Sequence, residues 1–210
     1  MRTHQTRGGG TGPTCSKACA GTCQRILLPI KQGAYGRLEF ITYGFNWNDF
    51  KPTKGWVISL NNLGYRESLG GAQNFDVYRA DFRHYIPHGD GNVFAFRQLN
   101  HLSHDAPTQN LSPVQLRGYK VGQYTGEYMS QVEGEERLKI AERWTVTAFA
   151  GVACTYGKGK SCSNSVNLFP MAGAGVQYVL KPEVGIVLNL EYAQGKDGNN
   201  GVILKTGYTF

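Results

Sequence analysis

His101-x-x-His104 followed by Asp105 is the first grouping in this sequence whose residue types could do chemistry, because imidazoles and a carboxylate at close spacing can share a transition metal. It lies where a strand-like run enters a polar stretch, and no third ligand is fixed by spacing, so these read as solvated loop residues rather than a metal centre. Cys15, Cys19 and Cys23 form a C-x3-C-x3-C array, but zinc and iron–sulfur sites are usually built on C-x2-C pairs with a fourth ligand, and none is evident. "GGGTG" (8–12) lacks the Lys-Ser/Thr of a phosphate loop. Ser103, His104 and Asp105 occur without a G-x-S-x-G elbow. No catalytic set, metal set or cofactor motif emerges, and the sequence predicts a protein that is not an enzyme.

Two other groupings carry more. Cys154 and Cys162 bracket "TYGKGKS" and would bridge in an oxidising compartment; the alternative is a free pair. "QLRGYKVGQYTGEYM" (115–129) holds Arg117 beside a glycine and between aromatics, inside a long polar stretch. An arginine held away from bulk water is costly unless paired, and a carboxylate gripped by both arms of its fork is its best partner.

The elements that must position these residues are strands. From Tyr35 the chain breaks into short alternating runs: 35–45, 56–65, 74–86, 92–102, 135–144, 145–156, 171–180, 184–193 and 201–210. The last runs are clearest. Ala172, Ala174, Val176, Tyr178 and Leu180 share one face, as do Ile186, Leu188, Leu190 and Tyr192. Connections alternate between tight (88–91, 181–183) and long (64–72, 103–134, 157–168, 194–200), as in an up-and-down barrel with turns at one rim and loops at the other. Residues 1–33 read as a disordered or non-native tail, and residues 34–210 as the strand-bearing domain. The apolar piece "ILLPI" (26–30) is shorter than the roughly 7–15 apolar residues of an export signal, so an exported protein would have its signal outside this chain.

Composition agrees with that class. The 210 residues include 28 Gly, 12 Tyr and 10 Phe, and hydrophobic residues make up 40%. A transmembrane barrel alternates lipid-facing and lumen-facing residues, so its mean hydropathy is unremarkable. No run approaches the roughly 20 apolar residues of a membrane helix. The net charge of +7 is carried by singly scattered Lys and Arg with no basic helix, which argues against nucleic acid as a partner.

"LRGY" (Leu116, Arg117, Gly118, Tyr119) in the longest loop, the "EER" run after it, the "FAG" run at Phe149–Gly151 and an aromatic last strand ending in Phe210 resemble the bacterial surface-antigen family. That family includes the BamA- and TamA-type outer-membrane proteins. The resemblance spans about Tyr35 to Phe210 and implies an all-β fold: a transmembrane antiparallel up-and-down barrel, with the nine C-terminal strands of sixteen. It implies a loop folded back into the lumen, with Arg117 as its inserted cation, Gly118 permitting the tight backbone and Tyr119 packed on the wall. Glu136, or Glu135, is the implied partner of Arg117. A second acid usual in the family's Phe-x-Asp-x-Gly strand is replaced here by Gly151 of Phe149-Ala150-Gly151. Leu204, Tyr208 and Phe210 match the C-terminal signal by which such barrels are recognised, and Phe210 serves equally as a last lipid-facing residue. The implied function is insertion or translocation of proteins or lipids at the outer membrane. Implied partners are membrane lipid, lipopolysaccharide, client barrels and assembly components. The family's periplasmic POTRA domains are not among these residues. Alternatives are the anchor barrel of a patatin-like hydrolase and a soluble β-sandwich binding protein.

Overall fold

A computed structural model describes residues 23–32, 35–43, 52–182 and 186–207. Ten strands form one antiparallel sheet: β1 (Cys23–Gln32), β2 (Tyr35–Tyr43), β3 (Gly55–Tyr65), β4 (Phe75–His88), β5 (Asn92–His104), β8 (Tyr128–Lys139), β9 (Trp144–Tyr156), β10 (Leu168–Lys181), β11 (Ile186–Gly195) and β12 (Asn200–Thr206). Each pairs with its neighbour in sequence, except that β5 pairs with β8. The two strands between them, β6 (Ser112–Pro113) and β7 (Thr125–Gly126), form a separate two-stranded ladder inside the long loop. Among the described residues there is no α-helix, and β1 and β12 are the unpaired edges of an open sheet.

Two expectations about strand positions change. The sheet begins at Cys23, within the stretch read as tail, because Cys23–Gln32 pairs along β2. β8 begins at Tyr128, seven residues before the expected 135, and "YMSQVEG" belongs to the wall rather than the loop. The alternation there is hidden because the face that turns under the loop carries Gln131, Glu133, Glu135 and Arg137, which are polar yet buried. Tight turns join β4 to β5 and β8 to β9. In the first, Gly89 and Gly91 take positive φ (52° and 84°), which glycine adopts without steric cost.

The sheet is polarised in an unusual direction. On the loop-covered face, register aligns Tyr85, Ala95, Glu135, Phe149, Gly173, Ala193 and Gly201 across seven strands. That face buries Asp81, Gln131, Glu133, Glu135, Arg137, Thr145, Thr147, Gln177, Asn189 and Glu191. The adjacent row on the other face runs Ile86, Phe94, Glu136, Ala148, Ala174, Tyr192 and Val202. This second face exposes Leu60, Tyr78, Val132, Val146, Val152, Leu190, Val202 and Leu204. The covered face also buries Leu99, Met129, Phe149, Phe169 and Met171, but a water-soluble sheet with one covered face would turn polar residues outward on the other, not a row of apolar ones.

Candidate functional site

The loop 105–127 lies on the polar face, held there by backbone and hydroxyl bonds. Ser103 N donates to Glu127 O (2.8 Å), the hydroxyls of Ser103 and Ser112 meet at 3.0 Å, and Val114 N donates to Tyr124 O (2.9 Å). Gln131 of β8 accepts from Gln115 N (3.2 Å). Val114, Leu116 and Tyr119 then pack with Leu99, Met129, Phe149, Phe169 and Met171 in the main buried apolar cluster. The apolar half of the loop is therefore its glue, and its polar tip is free to be aimed.

Leu116 to Tyr119 is a turn, with Tyr119 N donating to Leu116 O (3.3 Å). Gly118 is its third residue and has φ of +84°, the position where a type II turn requires glycine. A Cβ at Gly118 would also sit 3.2 Å from Ala193 of β11, so the turn lies against the wall. Arg117, at the second position, is thereby driven down onto the sheet.

Its guanidinium meets three carboxylates. Nη1 donates to Glu135 Oε2 at 2.7 Å and stands 3.4 Å from Glu191 Oε2; Nη2 donates to Glu133 Oε1. The carbon of the guanidinium lies 3.5 Å from the centroid of the Phe149 ring, so the cation is stacked as well as paired. Arg137 binds the other oxygen of Glu135 (Nε to Oε1, 2.7 Å), and Lys205 Nζ lies 3.3 Å from Glu191 Oε2. Three cations thus balance three anions beneath the loop. Burial alone would lower the Arg117 pKa, but the carboxylates of Glu133, Glu135 and Glu191 outweigh it and raise it above the ordinary value.

Tyr119 is the second fastening. Its hydroxyl donates to Pro170 O (2.6 Å) and accepts from Lys196 N (2.7 Å), tying the loop to β10 and to the β11–β12 turn. Its ring packs edge-on to Tyr124 and Phe169 and lies directly over Gly195, where a Cβ would come within 2.5 Å of it. Gly173 makes the same allowance for Phe149, with 2.4 Å from a built Cβ to the ring. Gly173 of β10 and Gly195 of β11 are therefore sockets for aromatic rings.

Of the two expected partners, Glu135 faces Arg117 and Glu136 does not. Adjacent residues of a strand point to opposite faces, and Glu136 is on the exposed one, bonded to His88 Nε2 at 2.6 Å. Glu133 and Glu191 are partners that sequence reasoning missed. Glu133 repeats Glu135 two residues earlier, and that spacing was a readable signal; Glu191 sits strands away, and nothing local marked it. A side chain at Gly151 would meet Val132 O at 2.7 Å, so the acid absent from 151 has no room there, and Glu133 and Glu191 supply the charge instead.

Cys154 and Cys162 form a disulfide, with Cα atoms 5.7 Å apart, which holds the 157–167 loop against the end of β9. Leu204 lies on the exposed face of β12, 72% accessible, while Tyr208 and Phe210 lie outside the described residues, as do Cys15 and Cys19. His101 is on the loop-covered face opposite Arg79, and His104 is at the rim, 3.2 Å from Asp105. Among the described residues no group of three His, Cys, Asp or Glu is placed to hold a metal ion.

Fold and site together define an all-β meander whose one covered face combines paired charges with an apolar cluster, braced by an inserted loop. No protein-family model matches the chain, and a search of curated proteins finds no match.

Proposed function

We propose that this chain supplies wall strands of a transmembrane β-barrel of the bacterial outer membrane, of the surface-antigen type, and serves in insertion or translocation of proteins or lipids there. The observation that carries the reading is the pairing of an exposed face rich in apolar side chains with a covered face that buries paired charges beneath the loop. An apolar surface of that extent is a liability in water and an asset in lipid. Its height also fits. Trp144 and Tyr178 pair at one end of the exposed face (4.7 Å between centroids), and Tyr128 and Tyr156 pair at the other (5.4 Å). From Trp144 to Tyr156, β9 runs about 40 Å at roughly 3.3 Å per residue, or about 30 Å vertically at the usual barrel tilt. That separation suits aromatic girdles flanking an apolar band about 25 Å tall.

On this reading Arg117 and its carboxylates form a strut that fixes the loop inside the lumen, and no chemical step is involved. Lipid and lipopolysaccharide would contact the exposed face, and client barrels the free strand edges. A single ten-stranded sheet with one covered face also fits a β-sandwich poorly, since a sandwich would bury its apolar faces against a second sheet.

The test is refolding of the purified chain into detergent and lipid vesicles, followed by comparison of boiled and unboiled gel migration. Heat-dependent migration is expected, and Val152→Arg, near mid-height on the exposed face, should cost about 2–4 kcal/mol of stability in lipid. A chain that is monomeric and folded without detergent, and indifferent to Val152→Arg, would refute the proposal.

A further inference from the structure

Charge on the loop-covered face is balanced at one place and not at another. Beneath the loop, Arg117, Arg137 and Lys205 meet Glu133, Glu135 and Glu191. On β4 and β5, beyond the Arg117 turn, three guanidiniums share one carboxylate. Asp81 accepts from Arg83 Nε and Nη2 (3.2 and 2.9 Å), from Arg97 Nε and Nη2 (3.1 and 2.8 Å) and from Arg79 Nη2 (3.5 Å). Asp81 is 4% exposed, Arg97 12%, Arg83 32% and Arg79 37%, so the acid is spent at the base of the cluster while the cations still reach solvent.

The formal sum of these four groups is +2; Glu133, which faces Arg97 from β8, is the nearest further acid among the described residues and is already bonded to Arg117. Arg83 and Arg97 are directly opposite each other in register, an arrangement of like charges that destabilises a sheet unless something compensates it. Arg79 lies two residues from Asp81 on the same face, and His101 is its cross-strand neighbour. Asn61, on β3, faces Arg79 from the other side. On the side toward β3 the described strand Gly55–Tyr65 contains no acid, and Glu39 of β2 stands one strand further out, opposite Asn61 in register.

We propose that Arg79, Arg83 and Arg97 form a binding site for a multivalent oxyanion of the phosphate class. The surplus of two charges matches a dianion. A tetrahedral phosphoryl group presents several oxygens at once to guanidinium forks, whereas a single carboxylate would duplicate Asp81 and leave one charge unmet. Arg79 is the principal ligand, because its one bond to Asp81 is the longest of the five and it is the most exposed. The site depends on the β4–β5 register alone and not on whether the other face meets lipid.

Titration of the folded full-length chain with inorganic pyrophosphate tests this, by calorimetry and by the ligand-dependent rise in unfolding temperature that a native-state ligand must produce. Saturable binding is expected, with acetate showing none. Arg79→Gln should weaken it about tenfold, since a bond to a charged group contributes roughly 1.5–3 kcal/mol. Arg143→Gln, in the exposed β8–β9 turn, should leave it unchanged. Asn61→Asp provides a test of opposite sign: it supplies a carboxylate beside Arg79, so it should raise stability without ligand and abolish pyrophosphate binding. Absence of saturable binding to the wild type would overturn the proposal. So would binding that survives both Arg79→Gln and Asn61→Asp.

Discussion

Replacing Arg117 by alanine would leave Glu133, Glu135 and Glu191 buried around an empty space, with Arg137, Lys205 and, across β5, Arg97 as the remaining nearby cations among the described residues. Breaking a buried ion pair from one side costs about 3–5 kcal/mol, because the remaining charges have lost their solvent and gained nothing. Here Glu135 and Glu191 are fully buried, and the Phe149 ring also loses a cation stacked at 3.5 Å. We expect Arg117→Ala to destabilise the fold by about 4 kcal/mol. Glu135→Ala should cost about 3 kcal/mol, since Arg117 keeps Glu133 and Glu191 while Arg137 loses its acid. The double variant should fall short of the sum by about 2 kcal/mol, the coupling expected of contacting groups in one network. Glu136→Ala, on the exposed face with His88 as its partner among the described residues, should change stability by less than about 1 kcal/mol. Arg117→Lys should recover part of the loss, because an ammonium keeps the charge without the fork. The assay is denaturant unfolding of the detergent-folded chain followed by tryptophan emission. A coupling below about 0.5 kcal/mol between positions 117 and 135, or a Glu136→Ala cost equal to that of Glu135→Ala, would refute the strut as drawn.

Three further outcomes follow from the same geometry. Gly173→Ala should cost about 1–3 kcal/mol by forcing Phe149 from beneath Arg117, while Gly134→Ala, whose Cβ meets only the Phe94 ring at 3.3 Å on the exposed face, should cost less; parallel unfolding curves decide. Tyr119→Phe removes one donated and one accepted hydrogen bond and should cost about 1–2 kcal/mol, with faster proteolysis in the 105–127 loop as the readout. Reduction of the Cys154–Cys162 bridge should cost about 2–3 kcal/mol from the short loop it closes, and the cleavage it admits should be confined to 157–167.

How much was legible beforehand depended on which face a signal lived on. Ala172 to Leu180 and Ile186 to Tyr192 announced themselves because their apolar sides alternate with small or polar residues. Tyr128 to Gly134 did not, because both of its faces carry polar residues, and no alternation of hydropathy shows where Met129, Gln131 and Glu133 point. Glycines gave a mixed signal. The one at 118 was readable as a turn, but those at 173 and 195 are empty sockets whose occupants, Phe149 and Tyr119, come from elsewhere in the chain.

The sequence by itself determined the all-β class, the sequential antiparallel order and the singling out of Arg117, since strand period, turn residues and the cost of an unpaired arginine are local facts. Tertiary structure alone decided which acids that arginine meets. Whether Glu135 or Glu136 faces inward is fixed by pleat and register across β5, β8 and β9, and Glu191 arrives only because β11, three strands from β8, lies beneath the same loop. Register is a property of strand pairs, and no single run of residues contains it.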